Sequence, residues 1–285
     1  MLTIPVKLRR PAVAGSFYPA NREDLLFMLN KCYVHPLGPG RAPPAPPGNQ
    51  EIIAVVAPHA AYEYSGPIAA HSYLHVSTLR DPDLIVVLAP NHYGLGSGIS
   101  TFKEGEWETP LGRMRVDEAA AFELVRDSGI VTYDAEANRM EHSLEVQLPF
   151  LQQIYGDSVP FLPVSLIFQD VETAKTLGSS LSAIVKGKKA VLIASSDLTH
   201  YEPRLRAMEK DSALLEAVRR LSLEGFYSTL DRLQVTACGY GAIATVMEAS
   251  RSLGLKCGEL LKYATSGDTT GDNNQVVGYG ALRFV

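Results

Sequence analysis

Cysteine is scarce in this chain. Cys32, Cys238 and Cys257 are its three among 285 residues, a sparse and odd set that does not make the disulfide framework of a small secreted domain. A Cys32–Cys257 bridge is the pairing left open. Clustered positive charge is missing as well. Lys and Arg number 26 against 31 Asp and Glu, a net −5, and no basic block stands out, which excludes the electrostatic footprint of a nucleic-acid binder. No apolar run approaches the roughly 20 residues of a membrane-spanning helix, and residues 1–10 are too short and too charged for a signal peptide. A cytoplasmic protein without membrane or nucleic-acid partners is expected. There is no G-x-x-x-x-G-K, no G-x-G-x-x-G after a strand and no H-E-x-x-H, so nucleotide-loop and zincin chemistries lose ground.

What the chain does have is apolar runs that stop at histidine. Residues 52–58 end at His59, residues 84–91 end at His92, and residues 191–197 lead through Leu198 and Thr199 to His200. Continuous β-branched runs of this length read as parallel strands buried on both faces. Ligands of an open α/β sheet bind outside the carboxyl ends of such strands. Three histidines at three such ends point to one site.

The rest of the pattern fits an α/β fold. Asn21 caps a first helix, and the Pro- and Gly-rich stretch 36–48 reads as a surface loop. A crossover helix over 67–79 makes a βαβ unit of the first two histidine strands. Residues 98–116 read as antiparallel ribbon turning at Thr109–Gly112. Asp117 caps a helix stopped by Gly129. Helical spacing follows over 143–155, 171–185, 211–223 and 239–253, with strands at 160–167 and 276–285. No linker forces a split and no solenoid repeat appears. The expectation is a single α/β domain spanning residues 1–285, with a central, mainly parallel sheet flanked by helices.

His59 and His92 are candidate metal ligands, because side chains from adjacent strand ends about 4.8 Å apart can share one ion. Either alone is as readily a strand-end histidine satisfying a carbonyl. Cys238, at the predicted start of a helix, is a third ligand, a nucleophile or a small buried hydrophobe. Asp197 and His200 form a D-x-x-H pair in which the carboxylate would orient an acid–base imidazole. Glu141 and His142 line the same mouth or cap a surface helix. His35, His71 and His75 receive no role.

Ordered motifs then resemble those of the Memo family over nearly the whole chain: Ala14-Gly15-Ser16-Phe17-Tyr18-Pro19, Ala57-Pro58-His59-Ala60-Ala61-Tyr62, Pro90-Asn91-His92, Trp107 with Thr109-Pro110-Leu111-Gly112, Glu141-His142-Ser143-Leu144-Glu145, Ser195-Ser196-Asp197-Leu198-Thr199-His200 and Ala237-Cys238-Gly239. The resemblance implies a fold shared with class III extradiol ring-cleaving dioxygenases, whose iron(II) is held by two histidines and a glutamate. His59 and His92 match the histidines, Cys238 falls at the glutamate position, and His200 matches the acid–base histidine. Phe17 and Tyr64 join Glu141 and His142 as expected pocket residues. The family is associated with bound iron or copper and with redox activity, and its human member with signalling in cell motility. Prokaryotic members are often encoded beside a radical-SAM protein, which the resemblance offers as a partner. Ala61 stands where the family usually has glycine, and a thiolate replaces a carboxylate, so catechol cleavage is not carried over.

Three functions follow as expectations. The first is a metal-binding oxidoreductase holding iron(II) or copper, with zinc as a further option, and acting on a small molecule. The second is a metal-independent Cys–His enzyme. The third is a peptide- or protein-binding module using the same pocket.

Overall fold

The computed structural model describes residues 7–285. A short strand β1 (Leu8–Arg9) and helix α1 (Arg22–Val34) precede β2 (Ile52–Ala57), α2 (Tyr62–Val76) and β3 (Leu84–Pro90). Then come β4 (Ile99–Thr101), β5 (Glu106–Thr109), β6 (Gly112–Arg115), α3 (Glu118–Ser128) and β7 (Thr132–Tyr133). The middle of the chain holds α4 (Leu148–Tyr155), β8 (Phe161–Leu166), α5 (Val171–Val185) and β9 (Ala190–Ser195). It closes with β10 (His200–Glu202), α6 (Arg204–Arg219), α7 (Leu223–Leu233), α8 (Tyr240–Ser252), β11 (Gly258–Thr265), α9 (Gly267–Thr270) and β12 (Val276–Phe284).

The large sheet runs β10-β12-β2-β9-β3-β8-β4-β7, with β11 paired to β12. Its centre, β2-β9-β3-β8, is parallel. The flanks are mixed, since β12 lies antiparallel to β2 and β4 antiparallel to β8. The central runs are apolar throughout because alternate residues feed two separate cores. Val56, Val86, Leu88, Leu162 and Leu192 face the side covered by α3, α5, α6, α7 and α8. Val55, Ile85, Val87, Val191 and Ile193 face α1, α2, α4 and the hairpin that carries Trp107. Each central strand is therefore sealed on both faces. Among the described residues no helix is long and apolar enough to cross a membrane.

Local signals place several helices as expected. The Asn21 and Asp117 side chains accept from backbone amides in the first turns of α1 and α3, and Gly129 ends α3 with φ 66°.

Non-local features differ from expectation. Strand β9 lies between β2 and β3, so the His59 and His92 strands are not sheet neighbours. Helix α2 begins at Tyr62 and contains Pro67 within it, not at its start. The 98–116 ribbon divides: β4 joins the large sheet, whereas β5 and β6 pair with β1 in a three-stranded sheet. The helix expected over 211–223 starts at Arg204 and stops at Arg219, and a new helix capped by Ser222 follows. Leu221 adopts φ 51° between them, which breaks the helical run. Cys32, Cys238 and Cys257 are all free thiols, so the open Cys32–Cys257 pairing does not form.

Candidate metal centre

The parallel strands β2, β9 and β3 end side by side, and each passes directly into a loop that carries candidate residues. His59 follows β2 by two residues and is buried; its backbone N–H donates to Asp197 Oδ1 at 2.8 Å. His59 Nδ1 lies 2.8 Å from Ser195 Oγ at the end of β9. His92 follows β3 by two residues, and its ring centroid is 5.3 Å from that of His59 at a near-perpendicular angle. Although their strands are not adjacent, both loops lean over the end of β9.

Cys238 reaches the same point from the turn before α8. Its Sγ is 3.0 Å from His59 Nε2 and accepts the Asp197 backbone N–H at 3.3 Å. Gly239 lets this turn press against β9: a Cβ there would stand 2.3 Å from the Ser195 carbonyl oxygen, closer than any side chain allows. The Gly239 N–H donates to Ser196 Oγ, which fixes the turn. One ligand-type atom from each of His59, His92 and Cys238 lies within 4.8 Å of the others. A tetrahedral ion with nitrogen bonds near 2.0–2.1 Å and a sulfur bond near 2.3 Å would set these atoms roughly 3.3–3.6 Å apart. The 3.0 Å sulfur–nitrogen separation would open slightly around such an ion, and the other pairs lie within 4.8 Å, in the range from which side-chain adjustment can close on it.

Glu141 supports the site from behind. Its carboxylate accepts His92 Nδ1–H at 2.9 Å, the His92 backbone N–H at 2.6 Å and the Ser143 backbone N–H at 2.9 Å. His92, Glu141 and His142 form a second compact group, but with Glu141 so engaged this group is the support of His92. His142 completes an aromatic wall. Its ring stacks on His92 at 4.7 Å, meets His59 edge-on at 5.5 Å and lies 4.6 Å from Phe17. Phe17 is held over it because its carbonyl accepts the Tyr62 N–H at 2.9 Å. Tyr64 is exposed in the first turn of α2, and the neighbouring Glu63 carboxylate raises its hydroxyl above the usual tyrosine range.

Asp197 does not orient His200. The buried carboxylate accepts the His59 N–H, as above. His200 Nδ1–H donates to the Thr236 carbonyl at 3.0 Å, and its backbone N–H donates to Thr236 Oγ1. Asp197 thus braces the His59 backbone, and Thr236 aims His200. The short D-x-x-H spacing suggested otherwise, but His200 already opens β10, where the Thr236 segment lies against it and takes both its backbone N–H and its Nδ1.

The electrostatics favour neutral ligands. Burial, aided by the neighbouring imidazoles, holds His59 well below the usual histidine range. Burial and the Asp197 carboxylate push Cys238 up, so without a metal it is a thiol. His142 is pushed down to about 4, chiefly by burial. Burial would raise Glu141, but the His92 bond and charge, His142 and the Ser143 amide outweigh it and hold it at about 2.

Residues not singled out in the sequence complete the site. Ser195 and Gln147 lie directly beneath His59, with Gln147 Nε2 donating to Ser195 Oγ at 2.7 Å. Glu145 pairs with Arg9 in the interior and accepts from the backbone amides of Ala12 and Val13 and from the Tyr18 hydroxyl. This anchors the segment that carries Phe17. Ser195 and Glu145 each stand in a quoted motif, but nothing local revealed their partners.

Residues 9–283 match the family model described as Memo-like protein. The chain is 44% identical over 278 residues to a MEMO1 family protein of Nitrosopumilus maritimus, covering 98% of this chain and 100% of that one. It is 45% identical over 278 residues to a MEMO1 family protein of Methanopyrus kandleri, covering 97% and 98%. Among solved structures, an uncharacterized protein of Escherichia coli K12 superposes with a TM-score of 0.55 over 82% of this chain and 99% of that one. At 16% identity that likeness concerns the fold alone.

Proposed function

The chain belongs to the Memo family, and from its pocket we propose that His59, His92 and Cys238 hold one iron or copper ion in a redox enzyme acting on a small molecule. The observation that carries this reading is the convergence of two imidazoles and a thiol within 4.8 Å at the carboxyl edge of the parallel strands. Two neutral imidazoles and a sulfur suit iron(II), copper or zinc far better than magnesium or calcium. When bound, the ion would supply Lewis acidity and, as iron or copper, one-electron chemistry.

The surrounding residues suit this use. Glu141 keeps a hydrogen on His92 Nδ1, so the opposite nitrogen presents its lone pair. Asp197 fixes the backbone of His59. His200 is held by Thr236 at Nδ1, which leaves Nε2 free to hold or release a proton. Phe17 and His142 wall the pocket and limit water on that side.

A metal-independent Cys–His enzyme fits less well. A nucleophilic cysteine needs its thiolate, whereas burial and Asp197 disfavour that form at Cys238. The test is elemental analysis of protein purified anaerobically, with reloading by iron(II) or copper(I). One equivalent of metal should bind wild type and be lost from folded His92→Ala and Cys238→Ser proteins. Equal uptake by both variants would overturn the reading.

A further inference from the structure

Beneath His59 lies a chain of polar groups whose hydrogens can be counted. The Tyr73 hydroxyl donates to Gln147 Oε1. The other end of that amide faces the Pro58 carbonyl at 3.1 Å and Ser195 Oγ at 2.7 Å. A carbonyl oxygen only accepts, so this end is the NH2 group and both of its hydrogens are committed.

Ser195 Oγ has one hydrogen and two lone pairs. It lies 2.7 Å from the Ser143 carbonyl oxygen and 2.8 Å from His59 Nδ1. Two oxygens at hydrogen-bond distance without a hydrogen between them repel, so the hydroxyl hydrogen goes to Ser143. One lone pair takes the Gln147 N–H. The other remains for His59, and it can only be matched by a hydrogen on Nδ1. His59, Tyr73, Ser143, Gln147 and Ser195 are each at most 2% exposed, so solvent offers no competing partner.

We infer that Ser195 is a positioning residue that locks His59 in the Nδ1–H tautomer, with Gln147 and Tyr73 fixing the hydroxyl that does so. Nε2 is then always the lone-pair nitrogen, and it points at Cys238 Sγ 3.0 Å away. His92 reaches the same tautomer through a carboxylate, His59 through a neutral hydroxyl. The two imidazoles are therefore oriented by partners of different charge. The consequence for metal affinity rests on the metal reading above; the tautomer does not.

The experiment uses the full-length metal-free protein with 15N-labelled histidine, observed by long-range proton–nitrogen correlation at neutral pH. Wild-type His59 should show a protonated, pyrrole-type Nδ1 and an unprotonated, pyridine-type Nε2. Folded Ser195→Ala should show the other tautomer or a mixture, and Ser195→Thr, which keeps the hydroxyl, should restore the wild-type pattern. An Nε2–H tautomer in the wild type, or an unchanged pattern in Ser195→Ala, would overturn the inference. Zinc, used as a probe in chelator competition, should bind Ser195→Ala about 10–100-fold more weakly than wild type and recover in Ser195→Thr. Wild-type protein that takes up no zinc, iron or copper, yet shows the expected tautomers, would sink the metal reading and leave this inference standing.

Discussion

Glu141 grips His92 at two points, taking the ring Nδ1–H at 2.9 Å and the backbone N–H at 2.6 Å. Those two bonds tie the His92 loop to the segment before α4, and a third, from the Ser143 N–H two residues on, steadies the carboxylate within that segment. A carboxylate that fixes an imidazole in this way typically contributes 10–100-fold in metal affinity. Glu141→Gln keeps one carbonyl oxygen but turns an NH2 group toward a backbone donor. Its metal affinity should fall by about that factor with stoichiometry retained at saturation. Chelator competition measures this, and wild-type affinity in the variant would remove Glu141 from the role.

The Arg9–Glu145 pair is buried on both sides. The Arg9 guanidinium also donates to the Asn138 and Glu141 carbonyl oxygens and covers the Trp107 ring at 4.5 Å. Removing one partner strands a buried charge, at a cost of about 3–5 kcal/mol. Glu145→Leu should lose that much in urea unfolding, and Arg9→Met/Glu145→Leu should lose less than the sum of the single variants. Additive losses would mean that the two charges do not depend on each other.

Asp197 should matter through the His59 backbone. Asp197→Ala leaves the buried His59 amide without its acceptor, at a cost of about 1–3 kcal/mol. Its hydrogen exchange should accelerate, while His200, held by Thr236, keeps its orientation. Exchange at His59 as slow as in wild type would contradict this assignment.

What could be read in the sequence was local or periodic. Asn21 and Asp117 announce caps within three residues of the amides they bind. The apolar runs ending near His59 and His92 announce double-sided burial and the sheet edge where the site lies. Pairing across the chain carries no such signal. Nothing near residues 52–92 reveals that β9, a hundred residues later, inserts between β2 and β3. Arg9 and Glu145 are 136 residues apart, and Ser195 meets Gln147 only because β9 ends against the segment before α4. The Asp197–His200 spacing misled for the same reason, since both residues find their partners in other segments. Helix α6 begins seven residues before the expected start because residues 204–210 expose Leu205 and Met208 while burying Ala207 and Lys210, so apolar residues do not mark its inner face there.

Acid should destabilise the fold before its carboxylates titrate. His75 and His142 are each pushed from 6.5 to about 4, chiefly by burial. Below pH 6.5 the unfolded chain takes up protons that the folded chain refuses, so stability falls from there until about pH 4. Each group contributes up to about 3 kcal/mol to that fall. His75 lies outside the pocket with Nε2 unpartnered, so His75→Leu should flatten part of the slope without touching the site. Urea unfolding between pH 4 and 7 measures it, and a His75→Leu profile parallel to wild type would sink the prediction.

Metal choice turns on Cys238. Two imidazoles and a thiolate form a softer set than two imidazoles and a carboxylate, and they should bind copper most tightly, above all as copper(I). The thiol must lose its proton to ligate. Burial and Asp197 hold Cys238 above the usual thiol range, so apparent affinity should rise with pH across the neutral range. Cys238→Ser should lose most of its affinity for copper(I) and zinc. Cys238→Asp, which keeps an anionic donor but replaces sulfur by oxygen, should shift preference toward iron(II) and titrate at lower pH. Competitive titration of the folded proteins under anaerobic, reducing conditions separates these cases. If wild type, Cys238→Ser and Cys238→Asp share one metal order and one pH dependence, Cys238 is no ligand, and the 3.0 Å approach of its sulfur to His59 is only a hydrogen bond.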